Sequence, residues 1–384
     1  MFALNKILLK IKPSEKEAKR VFKLGNEIIN EINKAIYKKK ISAEAILGGS
    51  GAKRTWLKET HDIDIYVGFN YGKYKNKSDE LADILEGALT CTKFKLSRLH
   101  GSRDYFQIKS KGYTFEIIPI LGVKNLNEIK NITDASLLHV NYIVSFIREN
   151  TKLADEIRLA KAFAKTQGCY GAESYIMGFS GYVIELLVVH YGSFEKLLRA
   201  ASKWGSRTVL GDKTLIAKLN RAKIGPLILL DPVQPNRNAA AALSVEKYKQ
   251  FIAACRAFLK KPSEDFFTEK TSPGAMKKRG KLLVLNAVPL EGKEDVIGAK
   301  LLKLFNFICA NLEKYGFNIL DKCWYWNIKA KNKAIMWVLV DKKDIQSIRI
   351  QTGPPIKLVK HAEAFKKKHT DTFIKNARLF IKKR

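Results

Sequence analysis

The sequence predicts an α+β protein in three parts: a mixed head over residues 1–134, a helical middle over 135–261, and a second mixed part over 262–384. Three observations carry this. Short runs in which apolar and polar residues alternate, the signature of half-buried strands, cluster before residue 121 and return after 282. Between Ala135 and Leu259 the apolar pattern becomes helical. At the second junction, Pro262, Pro273 and the Lys/Gly/Arg-rich stretch 271–281 read as a linker or mobile loop. A chain of 384 residues is also too long for one small core.

Taken in order, Ser14 followed by Glu17 forms a capping-box start, and Val21, Leu24, Ile28, Ile32 and Ile36 recur at helical spacing to Tyr37. A short apolar strand over 43–47 leads into Gly48-Gly49-Ser50, a brief helix running through Trp56 and Leu57, and a strand over 61–67. In that strand Asp62, Asp64 and Tyr66 share one face, and Ile63, Ile65 and Val67 the other. A polar loop over 70–78 precedes a helix near 79–90. Two strands near 103–109 and 113–120 are joined by a turn at Lys111-Gly112, and on the second Glu116 alternates with Phe115 and Ile117. The clearest central helices span 153–166, 174–191 and 244–259. Beyond the linker, strands at 282–288, 324–329 and 334–340 accompany a helix over about 297–314, and a basic helix is expected from 360 to 384. No internal repeat is visible.

The composition narrows the partner. Seventy Lys plus Arg against 37 Asp plus Glu give a formal charge of +33 and a pI near 9.8, which points to a large polyanion, nucleic acid before membrane surface. Five widely spaced cysteines without a CxxC pair fit neither a disulfide framework nor a zinc site, and suit a reducing cytoplasm. The most hydrophobic run, 182–191, is short and carries Glu185, so it reads as a buried helix and not a membrane span. The N-terminus lacks the features of a signal peptide, and the expected location is cytoplasmic.

Two carboxylates on one face of a core strand repel each other unless divalent cations neutralise them, so Asp62 and Asp64 read as a Mg²⁺ site, with Glu116 completing it from the later strand. Backbone N–H groups of a Gly-Gly turn can approach a triphosphate closely, and Ser50 adds a hydroxyl. Two ions in such a site would serve in-line nucleotidyl transfer. Arg158, Lys161 and Lys165 share one helix face, suited to anionic ligands, with Lys165 the most easily solvated.

The constellation resembles the polymerase-beta nucleotidyltransferase superfamily. The stretches around Arg158-Leu-Ala-Lys161, Gly168-Cys-Tyr170-Gly171-Ala-Glu173 and Gly178-Phe-Ser-Gly181-Tyr-Val-Ile-Glu185 resemble the central-domain signature of class I, archaeal-type CCA-adding enzymes. So do Tyr191-Gly-Ser193-Phe, Asp231-Pro-Val with Arg237-Asn238, and Gly353-Pro-Pro, in order across most of the chain.

That resemblance implies a polymerase-beta-like nucleotidyltransferase head, a helical nucleotide-selecting domain, and an α+β C-terminal body with a basic helical tail that binds tRNA. It implies addition of C, C and A to the 3′ end of tRNA from CTP and ATP with two Mg²⁺ ions, releasing pyrophosphate. Asp62, Asp64 and Glu116 would be the catalytic and metal-binding carboxylates. Gly49, Ser50, Lys53 or Arg54, Lys161 and Tyr170 would contact the triphosphate; His139 would contact nucleotide, and Arg237 the incoming base. Glu116 replaces the family's usual Asp, and Lys53-Arg54 its usual Arg-Gly. The tail is expected to be some tens of residues shorter than in relatives, with 13 Lys or Arg against 4 Asp or Glu over 341–384. Oligomeric state is left open, with a homodimer as the candidate. The alternatives are a relative adding only CC or only A, a poly(A) polymerase, and an RNA-binding protein with an inactive nucleotidyltransferase domain.

Overall fold

The structure, a computed structural model, describes residues 4–58, 60, 62–268, 280–327, 333–341 and 349–383. The chain divides into two compact units, residues 1–270 and 271–384. The first holds α1 (Leu4–Ile11), α2 (Glu15–Lys38), β1 (Ala43–Leu47), α3 (Gly49–Lys53), β2 (Asp62–Asn70), α4 (Tyr71–Tyr74), α5 (Leu81–Leu89), β3 (Leu96–Leu99), β4 (Tyr105–Ser110) and β5 (Tyr113–Gly122). It continues with α6 (Ser136–Glu149), α7 (Leu153–Thr166), α8 (Gly181–Tyr191), α9 (Phe194–Ala201), β6 (Thr208–Leu210), β7 (Leu227–Leu229) and α10 (Val245–Lys260).

One five-stranded sheet, ordered β1-β2-β5-β4-β3, organises the head; β2 and β5 run parallel and the other neighbours antiparallel. Ile63, Ile65, Val67, Phe106, Phe115 and Ile117 line one face and are buried against α2 and α5. On the other face Tyr66, Ile118 and Ile120 meet Val140 of α6. A one-residue slip of β2 would exchange the isoleucines for the aspartates. Each buried aliphatic side chain contributes about 1.5–3 kcal/mol and an unpaired buried carboxylate costs more, so the register is fixed. The capping box at the start of α2 forms as the sequence predicts: the Glu17 amide donates to Ser14 Oγ, and the Ser14 amide to Glu17 Oε2. Strand β3 is an element that sequence periodicity does not reveal, because Leu96-Ser-Arg-Leu99 is too short to show alternation.

Helices α6 to α10 surround a second core that includes Phe163, Phe179, Leu187, Phe194 and Phe251. Ile7 of α1 belongs to this core, so the first helix packs with the helical region although it precedes the head in sequence. Three helix boundaries differ from expectation. The helix expected from 174 begins at Gly181, capped by Ser180, because residues 169–179 fold into a closed loop first. In that loop the Phe179 amide donates to Cys169 O and the Gly171 amide to Phe179 O. Gly178 passes so close to Cys169 O that a Cβ there would lie 2.2 Å away. Helix α3 stops at Lys53 instead of running through Trp56, since Arg54 caps it in the left-handed region at φ 54°. Helix α5 itself begins only at Leu81, after a 3₁₀ turn over 78–80.

The second unit contains β8 (Lys281–Ala287), α11 (Glu294–Lys314), β9 (Ile319–Asn327), β10 (Lys333–Val340), β11 (Arg349–Pro355), α12 (Val359–Lys368), β12 (Thr372–Lys375) and β13 (Arg378–Lys383). An antiparallel sheet β8-β10-β9 packs Ala334, Met336, Val338 and Val340 against Ile297, Leu301, Phe305 and Cys309 of α11. A second antiparallel sheet has the order β11-β13-β12. The expected basic helix over 360–384 is therefore corrected: α12 ends at Lys368 and a hairpin follows. Asn376 and Ala377 both take positive φ, which makes a two-residue turn, and Phe373 stacks on Phe380 across the strands at 5.7 Å. The linker expected at 271–281 lies almost wholly outside the described residues, as does His61.

Candidate active site

The Asp62/Asp64 pair and Glu116 reach one place through strand register. Asp64 pairs with Glu116 and Asp62 with Thr114 across the parallel β2/β5 ladder, and residues in register project from the same face. Asp62 is exposed, and Asp64 and Glu116 are half-buried. Gln107 of β4, which carries no signal in the sequence, donates its side-chain amide to Glu116 Oε1 at 2.9 Å. Burial pushes the Asp64 carboxyl above the usual carboxylate range; Lys53 and Lys161 pull it down, and Asp62 pushes it up again.

Among the described residues no three His, Cys, Asp or Glu side chains stand close enough to hold an ion. The donor chemistry nevertheless fits one: Asp62, Asp64 and Glu116 put three carboxylates on one sheet face, the oxygen donors a divalent cation takes.

The turn between β1 and α3 fits tightly against this face. The Gly48 amide donates to Asp64 O at 2.8 Å. Gly49 takes φ 49°, and a Cβ on it would lie 1.6 Å from Asp64 Oδ2. Both the left-handed backbone and the missing side chain are therefore required at Gly49. Ser50 follows in the first turn of α3, half-buried, with no partner for its hydroxyl among the described residues.

Lys53 and Lys161 come from different parts of the sequence and meet on Glu185. Lys53 Nζ lies 2.5 Å from Glu185 Oε2, and Lys161 Nζ 2.7 Å from Oε1. Thr55 donates its hydroxyl to Glu185 Oε1 at 2.8 Å, and Lys161 Nζ donates to Thr55 Oγ1 at 3.0 Å. Burial alone would raise the Glu185 carboxyl, but Lys161 and Lys53 outweigh it and hold it at about 2. A depressed pKa contributes stability above the ordinary value of 4.5 and loses it as pH falls toward 2, so the Glu185 carboxylate stays charged at neutral pH. Tyr170 sits beside it; burial and Glu185 push its hydroxyl above the usual phenol range, against the pull of Lys53.

Arg54 goes elsewhere. Its guanidinium lies over the Phe22 ring, 5.2 Å from the centroid, in a groove of about 620 Å³ shared with Trp56 and Arg148. It occupies a left-handed position at φ 54°, where glycine is the more favourable residue, and nothing in the structure explains the arginine there. Arg158, read from the sequence as a ligand-facing cation, is buried and structural. It donates to Trp56 O at 3.1 Å, to Arg54 O and to Asp155, clipping the chain that leaves α3. Lys165 is exposed, as expected.

His139 and Arg237 form a second group around Asp231, which is buried. Arg237 Nη1 lies 2.6 Å from Asp231 Oδ2, and His139 Nε2 lies 3.1 Å from the same oxygen without hydrogen-bond alignment. Tyr182 donates its hydroxyl to Asp231 Oδ1 at 3.1 Å, and its ring packs on His139 at 4.3 Å. Burial would raise the Asp231 carboxyl, but His139, the Val233 amide and Arg237 hold it below the usual range. Asn238 pins the loop. Its Oδ1 accepts from the Leu229 and Ala240 amides, and its Nδ2 donates to Lys223 O and Leu227 O.

Sequence reasoning does not identify Glu185 and Asp231 as organisers of the site. A lone acid inside the apolar run of α8 is the available signal for the first, since such an acid is retained only with partners.

Solved structures with this fold include Cid1, described by its RNA terminal uridylyl transferase activity. The two share 14% identity at a TM-score of 0.55, over 70% of this chain and 97% of that one. A cytoplasmic RNA terminal U-transferase is similar at 16% identity and a TM-score of 0.52, with the same coverage. The fold is that of a nucleotidyltransferase. The family model for "tRNA nucleotidyltransferase, second domain" matches residues 155–268, and that for "CCA-adding enzyme, C-terminal domain" matches 287–384. The CCA-adding enzyme of Methanocaldococcus jannaschii is 34% identical over 98% of this chain and 86% of its own length. Those of Methanothermobacter thermautotrophicus and Pyrobaculum aerophilum are 30% and 31% identical, over 98% and 90% of this chain and 83% and 80% of theirs. The chain belongs to the family of CCA-adding enzymes. No helix among the described residues is long and apolar enough to cross a membrane.

Proposed function

We propose that this protein adds C, C and A to the 3′ end of tRNA from CTP and ATP, without a nucleic acid template, by nucleotidyl transfer with release of pyrophosphate. The observation that carries the reading is the register of Asp64 with Glu116 on a face that also receives the Gly48-Gly49 turn. It supplies carboxylates and a close-approach backbone at one spot, in a chain of formal charge +33. Asp62, Asp64 and Glu116 would hold Mg²⁺, which when bound would neutralise triphosphate charge and activate the attacking 3′-hydroxyl. Ser50, Lys53 and Tyr170 would face the triphosphate, Lys161 would back Lys53 through Glu185, and His139 with Arg237 would face the incoming base. Of the pair left open by the sequence, Lys53 is the better triphosphate contact, because it lies on the helix opened by Gly49 and its one side-chain bond among the described residues, to Glu185, uses one of three N–H groups, whereas the Arg54 guanidinium lies over Phe22. The functional division we favour is head 1–134, helical selector 135–261 and tRNA-binding body 262–384.

The test is incubation with tRNA lacking its 3′ end and each labelled nucleoside triphosphate. Addition of CCA followed by arrest is expected. Long A tails, or no incorporation, would refute the reading. Two further results are expected. Gly49→Ala places a Cβ on Asp64 and forces a left-handed non-glycine. It should cost about 1–3 kcal/mol of stability and suppress incorporation by tenfold or more, checked by thermal melting and initial rates. Binding to tRNA should be steeply salt-dependent, falling about a thousand-fold between 50 and 200 mM monovalent salt; a shallow slope in filter binding would contradict this.

A further inference from the structure

We infer that Glu185 is a positioning residue for the phosphate-binding lysine Lys53, and that Lys161 and Thr55 are parts of the same bracket. The inference rests on the proposed nucleotidyl transfer and deepens it. Glu185 sits with no solvent exposure in an otherwise apolar stretch of α8, where a carboxylate is kept only if fully partnered. Both of its oxygens are used: Oε2 by Lys53, Oε1 by Lys161 and Thr55. Two of these partners come from the α3 segment of the head and one from α7 of the helical region, so a single carboxylate joins the catalytic turn to the helices.

The donors are shared unequally. An ammonium has three N–H groups. Lys161 directs its donors at Glu185 Oε1, Thr55 Oγ1 and, at 3.4 Å, Thr55 O. Lys53 makes one such bond, to Glu185 Oε2, which leaves two N–H groups without a partner among the described residues. Lys53 ends α3, the short helix whose first residue, Gly49, packs against Asp64. Glu185 and Lys161 thus form the back of the bracket, and Lys53 is the member turned toward the carboxylate face. Without Glu185, two buried ammonium groups would face each other uncompensated, and Lys53 would lose the contact that aims it.

The experiment is a double-mutant cycle on the full chain with Glu185→Gln, Lys53→Met and both, read by the KM for CTP and by competition with inorganic tripolyphosphate. Glu185→Gln is expected to raise the KM and the tripolyphosphate inhibition constant about tenfold, with a smaller change in kcat. In the Lys53→Met background the same substitution should add little, because its effect passes through Lys53. Equal losses with and without Lys53, or unchanged tripolyphosphate affinity in Glu185→Gln, would overturn the inference. If Glu185→Gln does not fold, Glu185→Asp keeps the charge but withdraws it by one methylene; it should weaken tripolyphosphate binding, and wild-type affinity in this variant would also overturn the inference. Failure of the wild type to extend tRNA would instead count against the proposed reaction, while direct tripolyphosphate binding would still report on Glu185.

Discussion

Asp64→Ala will abolish nucleotide incorporation, by at least about a thousand-fold or roughly 4 kcal/mol in activation free energy, while tRNA affinity stays within about twofold of wild type. The two readouts separate because the residue has separate neighbours. Asp64 touches the Gly49 turn and stands in register with Glu116, inside the carboxylate face where a divalent cation would be held. Binding to tRNA depends instead on the summed positive charge, which losing one acid does not weaken. Fold should survive, since burial already raises the Asp64 carboxyl and its removal relieves repulsion with Asp62. Single-turnover incorporation and filter binding on the same preparation check both halves; retained activity would move the metal site elsewhere.

Asp134→Ala should be the most destabilising single change in the head, at about 3–5 kcal/mol. Asp134 has no solvent exposure and receives Arg103 Nη1 at 2.5 Å, together with the Leu121, Lys130 and Asn131 amides at 2.9, 3.1 and 2.8 Å. Arg103 is itself buried and also donates to Pro119 O and Ser78 Oγ. Removing the carboxylate leaves a buried guanidinium without its counterion and three backbone donors unmet, in the segment that leads from β5 to α6. A lowered urea midpoint for the first unit, with Asp134→Asn intermediate between the two, is the expected pattern. A melting temperature unchanged from wild type would show that the loop refolds around the loss.

Much of the active face is legible in the sequence. The alternation that sends Asp62 and Asp64 one way and Ile63 and Ile65 the other is a local property, because a strand's period of two assigns faces within one segment. The capping box at Ser14 and Glu17, and the end of the helix at Thr166, are local in the same sense. Where a run that scans as helix makes contacts beyond one helical turn, the expectation fails. The run from Ser174 scans as helix, yet Tyr170 to Phe179 closes as a loop through amide bonds between residues seven to ten apart, and α8 waits for Ser180. The basic C-terminus scans as one helix, yet the Asn376-Ala377 turn and the Phe373–Phe380 stack make it a hairpin. Arg158 is legible as a cation but not as a clip, since its acceptors are carbonyls about a hundred residues away.

By itself, then, the sequence determined which residue types this protein has for nucleotide chemistry, which face of each strand they occupy, and, through ordered motifs, the family to which it belongs. Only the tertiary structure decided who partners whom. Glu185 gathers Lys53, Thr55 and Lys161, Asp231 gathers Arg237, Tyr182 and His139, and Arg54 turns away to Phe22. The physical reason is that a buried charge is tolerated only with its counter-charges, and those arrive from distant segments whose meeting is fixed by core packing and not by spacing along the chain.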